Sequence, residues 1–277
     1  MRFSYTMRSS YAMRSSYAMN SPLISVVIPS YNKVKYVEKT LKSIVSQNYT
    51  NYEVIIQDGG SNDGTVEIIK KYAKKYSQYI SFVSKKDGGQ LDAINTGLKK
   101  AKGDIVTFIN ADDVYEAGAF ESVVAHYIEN PDALWFAGKC KIVNHKDQEI
   151  AKFWTICKNT LLRLNSYPLL LLTSNYMSQP SIFLTKNAYK KYGPFVGNKK
   201  FVYEYDTWLT LGKVAMPVVI NKYLSKFRIS EDNISSVVYD DLFDMDIKVV
   251  KKHSNNKIFV YVHKINNYLR IIARKSI

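Results

Sequence analysis

Short apolar runs alternate with helical patterns along the first half of the chain, and a polar cluster follows each run. Four of these runs are rich in β-branched residues, and the segments between them carry apolar residues at helical spacing. Alternating strands and helices favour a parallel sheet with right-handed crossovers, so we predict an α/β fold. The carboxyl ends of parallel strands share one edge of the sheet, where α/β proteins bind ligands. The predicted strands are residues 24–28, 52–56, 80–83 and 105–109.

Acidic clusters follow the second and fourth of these strands. One is Asp-Gly-Gly-Ser-Asn-Asp-Gly at residues 58–64, and the other is Asn-Ala-Asp-Asp at residues 110–113. Carboxylates at this edge suit a nucleotide and a divalent cation that holds its diphosphate, because hard cations take oxygen ligands. Each cluster also has a purely structural explanation. Asp58 could stabilise a Gly-rich turn, and the two acids of the second cluster could cap a helix that begins near Glu116.

Five ordered stretches of the chain resemble the family-2 glycosyltransferases, which have the GT-A nucleotide-sugar-binding fold. The resemblance implies a Rossmann-like, mainly parallel sheet flanked by helices. It also implies an inverting transfer of a sugar from a nucleoside-diphosphate sugar, most often a UDP-sugar, to a glycan or lipid-linked acceptor in polysaccharide or cell-surface glycan synthesis. The similar stretches are residues 25–32, 58–65, 87–97, 103–104 and 110–113.

The resemblance implies a donor site at the carboxyl ends of the predicted strands. Asp58 is expected to accept a hydrogen bond from the donor's base, and Gly59 to allow close approach of the backbone. Asp87 and Gln90 are expected near ribose or sugar hydroxyls, although Asp92 and its neighbours could simply form a helix start stabilised by the helix dipole. The predicted donor-binding residues are Pro29, Tyr31, Asp58, Gly59, Asp87, Gln90, Asn110, Ala111 and Asp113.

The family's Asp-x-Asp motif implies a metal site in the second acidic cluster. Asn110 stands in place of the first acid, and Asp112 is expected to bind Mg²⁺ or Mn²⁺. Asp113 is expected to support either the metal or the donor sugar. Relatives often carry a later Arg-x-His element whose His contacts the metal or the diphosphate, and here Ser230 replaces that His after Arg228. Either Arg228 and the metal suffice, or diphosphate binding is weaker than usual.

The catalytic base of the family lies in an acidic motif ahead of a helix that contains Trp-Leu. Glu204 stands at that position here, and Asp206 is the alternative. Both could instead be acids that complement the dipole at a helix N-terminus. Gln179, Pro180 and Trp208 are expected to border the acceptor.

The chain is predicted to have three parts. The first, residues 1–21, contains a six-residue repeat that is too short and polar to bury a face, so we expect a disordered tail. Translation that begins too early, with Met19 as the natural start, would explain this tail as well as any function. A glycosyltransferase domain is expected at residues 22–232, followed by a basic helical extension at residues 233–277. Within the domain, residues 22–115 form the nucleotide-sugar-binding half and residues 116–232 the acceptor half.

The net charge of +15 indicates attraction to anionic membranes, nucleic acid or polyanionic substrates. Near the C-terminus, an apolar stripe among Lys and Arg residues is typical of an interfacial helix, although a helix packed on the core would look similar. The apolar stretches are shorter than the roughly 18 to 20 residues of a membrane span. The two cysteines show neither CxxC spacing nor a disulfide framework, so we expect a cytoplasmic protein, peripheral at the inner face of the cell membrane. The stripe consists of Ile258, Val262, Ile265, Leu269 and Ile272.

Two other functions share features with this sequence. A sugar nucleotidyltransferase would share the nucleotide and the metal, but it normally carries a basic Gly-rich loop after its first strand, where this chain has Pro29 to Lys33. A nucleic-acid-binding module would suit the charge and the 22 tyrosines. The tyrosines are spread along the chain without a recognised RNA-binding motif, so no nucleic-acid partner is expected.

Overall fold

The computed structural model describes residues 21–164, 168–197, 203–230 and 239–275. For residues 239–242 and 271–275 only the backbone is described. Almost all of the predicted N-terminal tail therefore lies outside the described residues, as does the side chain of Ile272 in the C-terminal stripe.

The first half of the chain alternates strands and helices as the sequence predicts. All four predicted strands are present, and the three intervening helices bury the apolar side that their spacing indicates. The elements are β1 (Ile24–Ser30), α1 (Val37–Val45), β2 (Tyr52–Asp58), α2 (Thr65–Lys75), β3 (Ile80–Ser84), α3 (Gln90–Lys100) and β4 (Ile105–Phe108).

The second half adds four strands and seven helices within the described residues. They are β5 (Val114–Tyr115), α4 (Ala119–Glu129), β6 (Trp135–Val143), α5 (Lys152–Arg163), α6 (Pro168–Thr173), β7 (Ile182–Thr185), α7 (Lys186–Tyr192), α8 (Tyr203–Gly212), β8 (Val218–Arg228), α9 (Tyr239–His253) and α10 (Lys257–Lys275). A short 3₁₀ turn, Gln179–Ser181, leads into β7.

These strands form one mixed sheet in the order β3-β2-β1-β4-β7-β6-β8-β5. The pairs among β1, β2, β3 and β4 are all parallel, so the loops that follow these four strands emerge at the same edge. The remaining half is mixed, since β7 pairs antiparallel with both β4 and β6 while β6 and β8 are parallel. The α/β class and the mostly parallel sheet are confirmed.

Both faces of the sheet are covered, which explains why β1 is apolar at successive positions rather than alternating. Val26 and Ile28 belong to the core on one face, and Val27 belongs to the core on the other. On that second face α3 lies very close to β1, because a Cβ atom at Gly97 would come within 2.4 Å of the Val27 side chain. Glycine at residue 97 therefore allows α3 to pack closely on β1.

The C-terminal helices pack on the second half of the domain. Asp206 of α8 pairs with His253 at the end of α9, and His263 of α10 lies with its Nδ1 3.1 Å from the carbonyl oxygen of Leu172 in α6. The predicted basic extension is thus helical in its described part and in contact with the domain. Among the described residues, every helix is too short or too polar to span a bilayer.

Candidate active site

Three loops at the ligand-binding edge meet around Gly59. Its backbone N–H donates to the carbonyl of Ser30, which joins the loop after β2 to the end of β1. A Cβ atom at this position would lie 3.3 Å from Tyr31 Cδ2 and 3.3 Å from Asp87 Oδ1. Tyr31 is 60% exposed, so its ring is accessible. The structure therefore brings together three of the predicted donor-binding residues, one from each loop.

Asp58 is buried at the end of β2 and organises its own loop. Its Oδ2 accepts hydrogen bonds from the backbone N–H groups of Gly60 and Ser61 at 3.1 and 2.9 Å, and from Ser84 Oγ at 2.7 Å. Its Oδ1 accepts from Ser61 Oγ at 2.5 Å. The turn-stabilising explanation is confirmed. The contact with a base stays a prediction, compatible with the acceptor capacity that a carboxylate oxygen with one partner retains.

The start of α3 is joined to the fourth loop. Gln90 Nε2 donates to Asn110 Oδ1 at 2.7 Å, so two predicted donor-binding residues are in direct contact. Asp87 Oδ1 accepts from the backbone of Gly89 and Asp92 Oδ2 from that of Gly88, which stabilise the turn into the helix. The helix-start explanation for Asp92 is confirmed.

Asp112, the predicted metal ligand, forms an ion pair with Lys33 from the loop after β1. The Lys33 Nζ to Asp112 Oδ2 distance is 2.7 Å, and only 7% of the Asp112 side chain is exposed. Within the described residues, no group of three His, Cys, Asp or Glu side chains could hold a metal by itself. A single carboxylate, here paired with the Lys33 ammonium, does fit Mg²⁺ or Mn²⁺, since these ions are commonly held by one or two carboxylates plus substrate phosphates.

Asp113 lies in the interior, with no exposed surface. Its Oδ1 accepts from the backbone N–H of Arg228 at 2.8 Å, and its Oδ2 lies 3.4 Å from Asn110 Nδ2. Burial and the neighbouring charge of Asp112 raise the pKa of Asp113 well above its ordinary value. Asp113 therefore supports the loop from inside and has no exposed surface for the expected contact with the metal or the donor. The helix-cap alternative is wrong, because α4 begins only at Ala119, after Gly118.

Arg228 is fully buried and holds the metal-site loop from behind. Its Nε donates to the carbonyl of Asp112 at 2.8 Å and its Nη1 to the carbonyl of Asn144 at 2.9 Å, while its Nη2 pairs with Asp147. The guanidinium also lies over the ring of Tyr36, 5.1 Å from its centroid. Of the two alternatives for the missing His, the one in which Arg228 acts at the diphosphate is wrong in this structure, because the side chain faces the interior.

The two candidate bases lie in the first turn of α8 but differ in their surroundings. Burial, and then the charge of Asp246, raises the pKa of Glu204 to about 7. Asp206 is instead ion-paired, with His253 Nε2 at 2.6 Å and Lys252 Nζ at 2.7 Å. Hydrogen bonding to His253 is the main cause that lowers the pKa of Asp206. A carboxyl group with a pKa near neutrality is the better proton acceptor.

The residues expected on the acceptor side are more buried than predicted. Trp208 is 2% exposed and stacks on Trp135, with ring centroids 5.5 Å apart, so the expected contact with an acceptor is replaced by packing in the core. Pro180 is buried as well. Gln179 donates from Nε2 to the carbonyl of Phe108 at 2.6 Å, at the end of β4. Of the three, Gln179 alone remains partly accessible.

Phe195 connects α8 to the donor-binding edge, a role that the sequence analysis missed. The centroid of its ring lies 5.4 Å from that of Phe108 and 6.1 Å from that of Tyr203. Its backbone exchanges two hydrogen bonds with the Asn95 side chain of α3. Tyr203 directly precedes Glu204, the candidate base, at the start of α8. Lone aromatic residues in a loop carry no local signal for such a contact, because it depends on strands far apart in sequence.

The known proteins that this chain resembles are glycosyltransferases. The model of glycosyl transferase family 2 matches residues 25–189, more than half of the chain. An uncharacterized glycosyltransferase of Rickettsia prowazekii is 26% identical over 266 residues, covering 92% of this chain and 81% of its own. The putative teichuronic acid biosynthesis glycosyltransferase TuaG of Bacillus subtilis is 33% identical over 117 residues, covering 42% of this chain and 46% of its own.

Solved structures share the fold at low sequence identity. TarS of S. aureus in complex with UDP-GlcNAc has a TM-score of 0.63 at 20% identity, covering 83% of this chain and 66% of TarS 1–349. The mannosyltransferase PcManGT of Pyrobaculum calidifontis, in complex with GDP-Man and Mn²⁺, has a TM-score of 0.65 at 16% identity, covering 96% of this chain and 78% of its own. The family match favours a glycosyltransferase over a sugar nucleotidyltransferase. The chain belongs to glycosyl transferase family 2 and has the GT-A fold.

Proposed function

We propose that the protein transfers a sugar, with inversion, from a nucleoside-diphosphate sugar to a hydroxyl group of a glycan or lipid-linked acceptor. The observation that carries this proposal is the convergence of four loops at one sheet edge. There Asp112 faces the ammonium group of Lys33, and Gly59 leaves space between Tyr31 and Asp87. TarS with UDP-GlcNAc and PcManGT with GDP-Man show what similar folds bind. A UDP-sugar is the donor that we favour.

The donor would lie along the loops that follow β1, β2 and β3. The exposed ring of Tyr31 offers a stacking surface for a base or sugar, and Asp58 and Asp87 offer carboxylate acceptors for N–H and O–H groups. Gln90 and Asn110 hold each other 2.7 Å apart, which fixes the side of the pocket between α3 and the metal-site loop. Pro29 and Ala111 are assigned to the same pocket through their places in the family's motifs.

Asp112 would hold Mg²⁺ or Mn²⁺ together with oxygens of the donor's diphosphate. When bound, the cation offsets the negative charge that develops on the departing diphosphate. Arg228 and Asp113 contribute by fixing the loop from inside, because they hold the Asp112 carbonyl and the next backbone segment. Lys33 adds a second positive charge beside the same carboxylate.

Glu204 would act as the catalytic base. Its carboxylate accepts the proton of the acceptor hydroxyl while that oxygen bonds to the anomeric carbon. The bond from this carbon to the diphosphate oxygen breaks as the new bond forms, so the sugar configuration inverts. A pKa raised to about 7 supports the assignment, since it lets the group accept a proton near neutral pH and release it afterwards.

A role in cell-surface glycan synthesis is supported by the name of TuaG, a putative teichuronic acid biosynthesis enzyme. We place the protein in the cytoplasm at the inner face of the membrane, where nucleotide sugars and lipid-linked acceptors meet. The basic extension, with its exposed stripe residues, supports peripheral attachment.

Donor binding tests the proposal directly. Thermal unfolding of the full chain should shift upward with UDP, UDP-GlcNAc or GDP-mannose, and more strongly with Mn²⁺, because a ligand of the folded state stabilises it. Release of nucleoside diphosphate and an NMR assignment of the product's anomeric configuration then test transfer and inversion. Unchanged melting with every nucleotide sugar, with and without Mn²⁺, would contradict the proposal.

A further inference from the structure

Helix α10 packs on the domain with a mixed side, in which Phe259 and Val260 contact the core beside buried polar residues. His263 and Asn267 are buried, His263 Nδ1 lies 3.1 Å from the Leu172 carbonyl, and Asn266 Nδ2 donates to the Thr173 carbonyl at 2.8 Å. The opposite side is exposed and apolar. An ordinary surface helix turns its apolar stripe to the core, whereas α10 leaves a second apolar stripe on the outside. The exposed side chains are Ile258, Tyr261, Ile265, Tyr268 and Leu269.

Two other helices add further exposed apolar side chains. Helix α6, whose carbonyls accept from α10, exposes Leu169 by 58%. Helix α5 adds to this set of exposed apolar side chains. It exposes Phe153 by 70% and Ile156 by 61%, and Leu164 follows it. Among the described residues, nine of the fifteen exposed large apolar side chains belong to these three helices and Leu164.

The positive charge of the protein is concentrated in the same parts of the chain. Residues 150–203, which include α5 and α6, and residues 247–277, which include α10, contain no Asp or Glu. Together they hold 16 of the 39 Lys and Arg residues. The rest of the chain, with 23 basic and 24 acidic residues, has a net charge of −1. The whole basic excess therefore lies in the two segments that expose the apolar side chains.

We propose that α5, α6 and α10 form one face that docks on the surface of an anionic lipid bilayer. Such a surface accepts apolar side chains at its headgroup boundary and attracts the surrounding Lys and Arg residues, and it requires no pocket. A second copy of the chain would bring the same positive charge and be repelled. The docking face does not depend on the proposed function. Only the benefit of docking rests on it, because docking would bring the enzyme to a lipid-linked acceptor.

Vesicle co-sedimentation of the full chain tests the docking face without donor or acceptor. Binding is expected with vesicles of phosphatidylcholine and phosphatidylglycerol, and it should weaken with salt and be poor with phosphatidylcholine alone. Replacing Ile265 and Leu269 together with Ser should weaken binding by about tenfold or more. A matched double change to Ser at Ile128 and Val214, which are exposed elsewhere, should leave binding unchanged.

Changing Phe153 and Ile156 together to Ser tests whether α5 belongs to the face. A similar loss of vesicle binding is expected, and unaltered binding would exclude α5. Vesicle binding that survives the Ile265 and Leu269 changes would overturn the whole proposal. So would exclusive binding to a DNA duplex, or a dimer in sedimentation velocity that those changes dissociate. Vesicle binding by a protein without nucleotide-sugar binding would contradict the proposed function and leave the docking face intact.

Discussion

Lys33 Nζ lies 2.7 Å from Asp112 Oδ2, so the carboxylate proposed to hold a divalent cation is paired with an ammonium group. Lys33 is itself held in place, since its backbone N–H donates to Thr65 Oγ1 at 2.8 Å. A cation that binds Asp112 must compete with this ammonium. Once displaced, Lys33 would remain close to the diphosphate that the same cation binds, where a positive charge is favourable.

Lys33→Met should therefore separate metal binding from nucleotide binding. Binding of Mn²⁺ alone should become about tenfold tighter, a difference of about 1.4 kcal/mol, because the competing charge is gone. Binding of UDP with Mn²⁺ should become weaker, because the diphosphate loses a cationic partner. Electron paramagnetic resonance of free Mn²⁺ and calorimetry with UDP measure the two affinities. Lys42→Met, a change at an exposed position of α1, is the control, and equal Mn²⁺ affinity in both variants would refute the competition.

Asp112→Asn should abolish metal-dependent binding while leaving the fold intact. The amide keeps the shape of the side chain but removes the charge that attracts a divalent cation, so transfer should fall by roughly 10² or more. Melting temperature and Mn²⁺ binding are measured beside transfer, and Asp132→Asn at an exposed position is the control. Undiminished transfer, in this variant or in excess chelator, would show that the metal assignment is wrong.

The first half of the fold could be predicted because its pattern is local. Each of the strands β1 to β4 is a short apolar run followed directly by its polar loop, so both the strand and the loop's position follow from neighbouring residues. The order and direction of β5 to β8 could not be predicted this way. Strand β7 pairs with β4 and β6 across long sequence separations, and β5 is only two residues long.

Side-chain direction limited the prediction of the site. Asp112 and Asp113 are adjacent and identical in type, yet one faces Lys33 and the other faces the interior. Trp208 has an apolar neighbour on one side only, and its burial depends on Trp135, which is distant in sequence. Three of the five stripe residues predicted for α10, Ile258, Ile265 and Leu269, are exposed. Which face is buried depends on His263 meeting the Leu172 carbonyl, and no periodicity reveals that contact.

The pH dependence of transfer should report the surroundings of Glu204. Because burial and the charge of Asp246 raise its pKa to about 7, activity should increase as pH rises through about 7 and then level off. Asp246→Asn removes the negative charge, so the same rise should occur at lower pH. Asp244→Asn, at an exposed position of α9, is the matched control. A pH profile that Asp246→Asn leaves in place would contradict the link between these two carboxyl groups.

Glu204→Gln should retain donor and metal binding but lose transfer by roughly 10² to 10⁴-fold, the range for removal of a general base. Although this change should impair transfer, it should not lower the stability of the fold above about pH 7. A carboxyl group whose folded pKa is raised stabilises the fold in its protonated form, and this contribution is lost as pH rises through about 7. Above that pH the Gln variant should be at least as stable as the unaltered protein. Urea unfolding across the pH range measures this, and normal transfer by the variant would reverse the assignment.

Asp206→Asn should affect stability more than catalysis, because Asp206 ties α8 to α9. Its carboxylate pairs with His253 at 2.6 Å and Lys252 at 2.7 Å, and the change should destabilise the fold by on the order of 1 to 2 kcal/mol near neutral pH. The pKa of Asp206 is lowered in the folded protein, so this contribution is present above the ordinary Asp pKa of about 3.8 and is lost as pH falls through the folded value. The stability difference measured by urea unfolding should therefore shrink in acid. Transfer per folded molecule should stay within about tenfold of normal. A stable Asp206→Asn protein without transfer would instead assign the base to Asp206, and Glu204 would then be the residue that supports it.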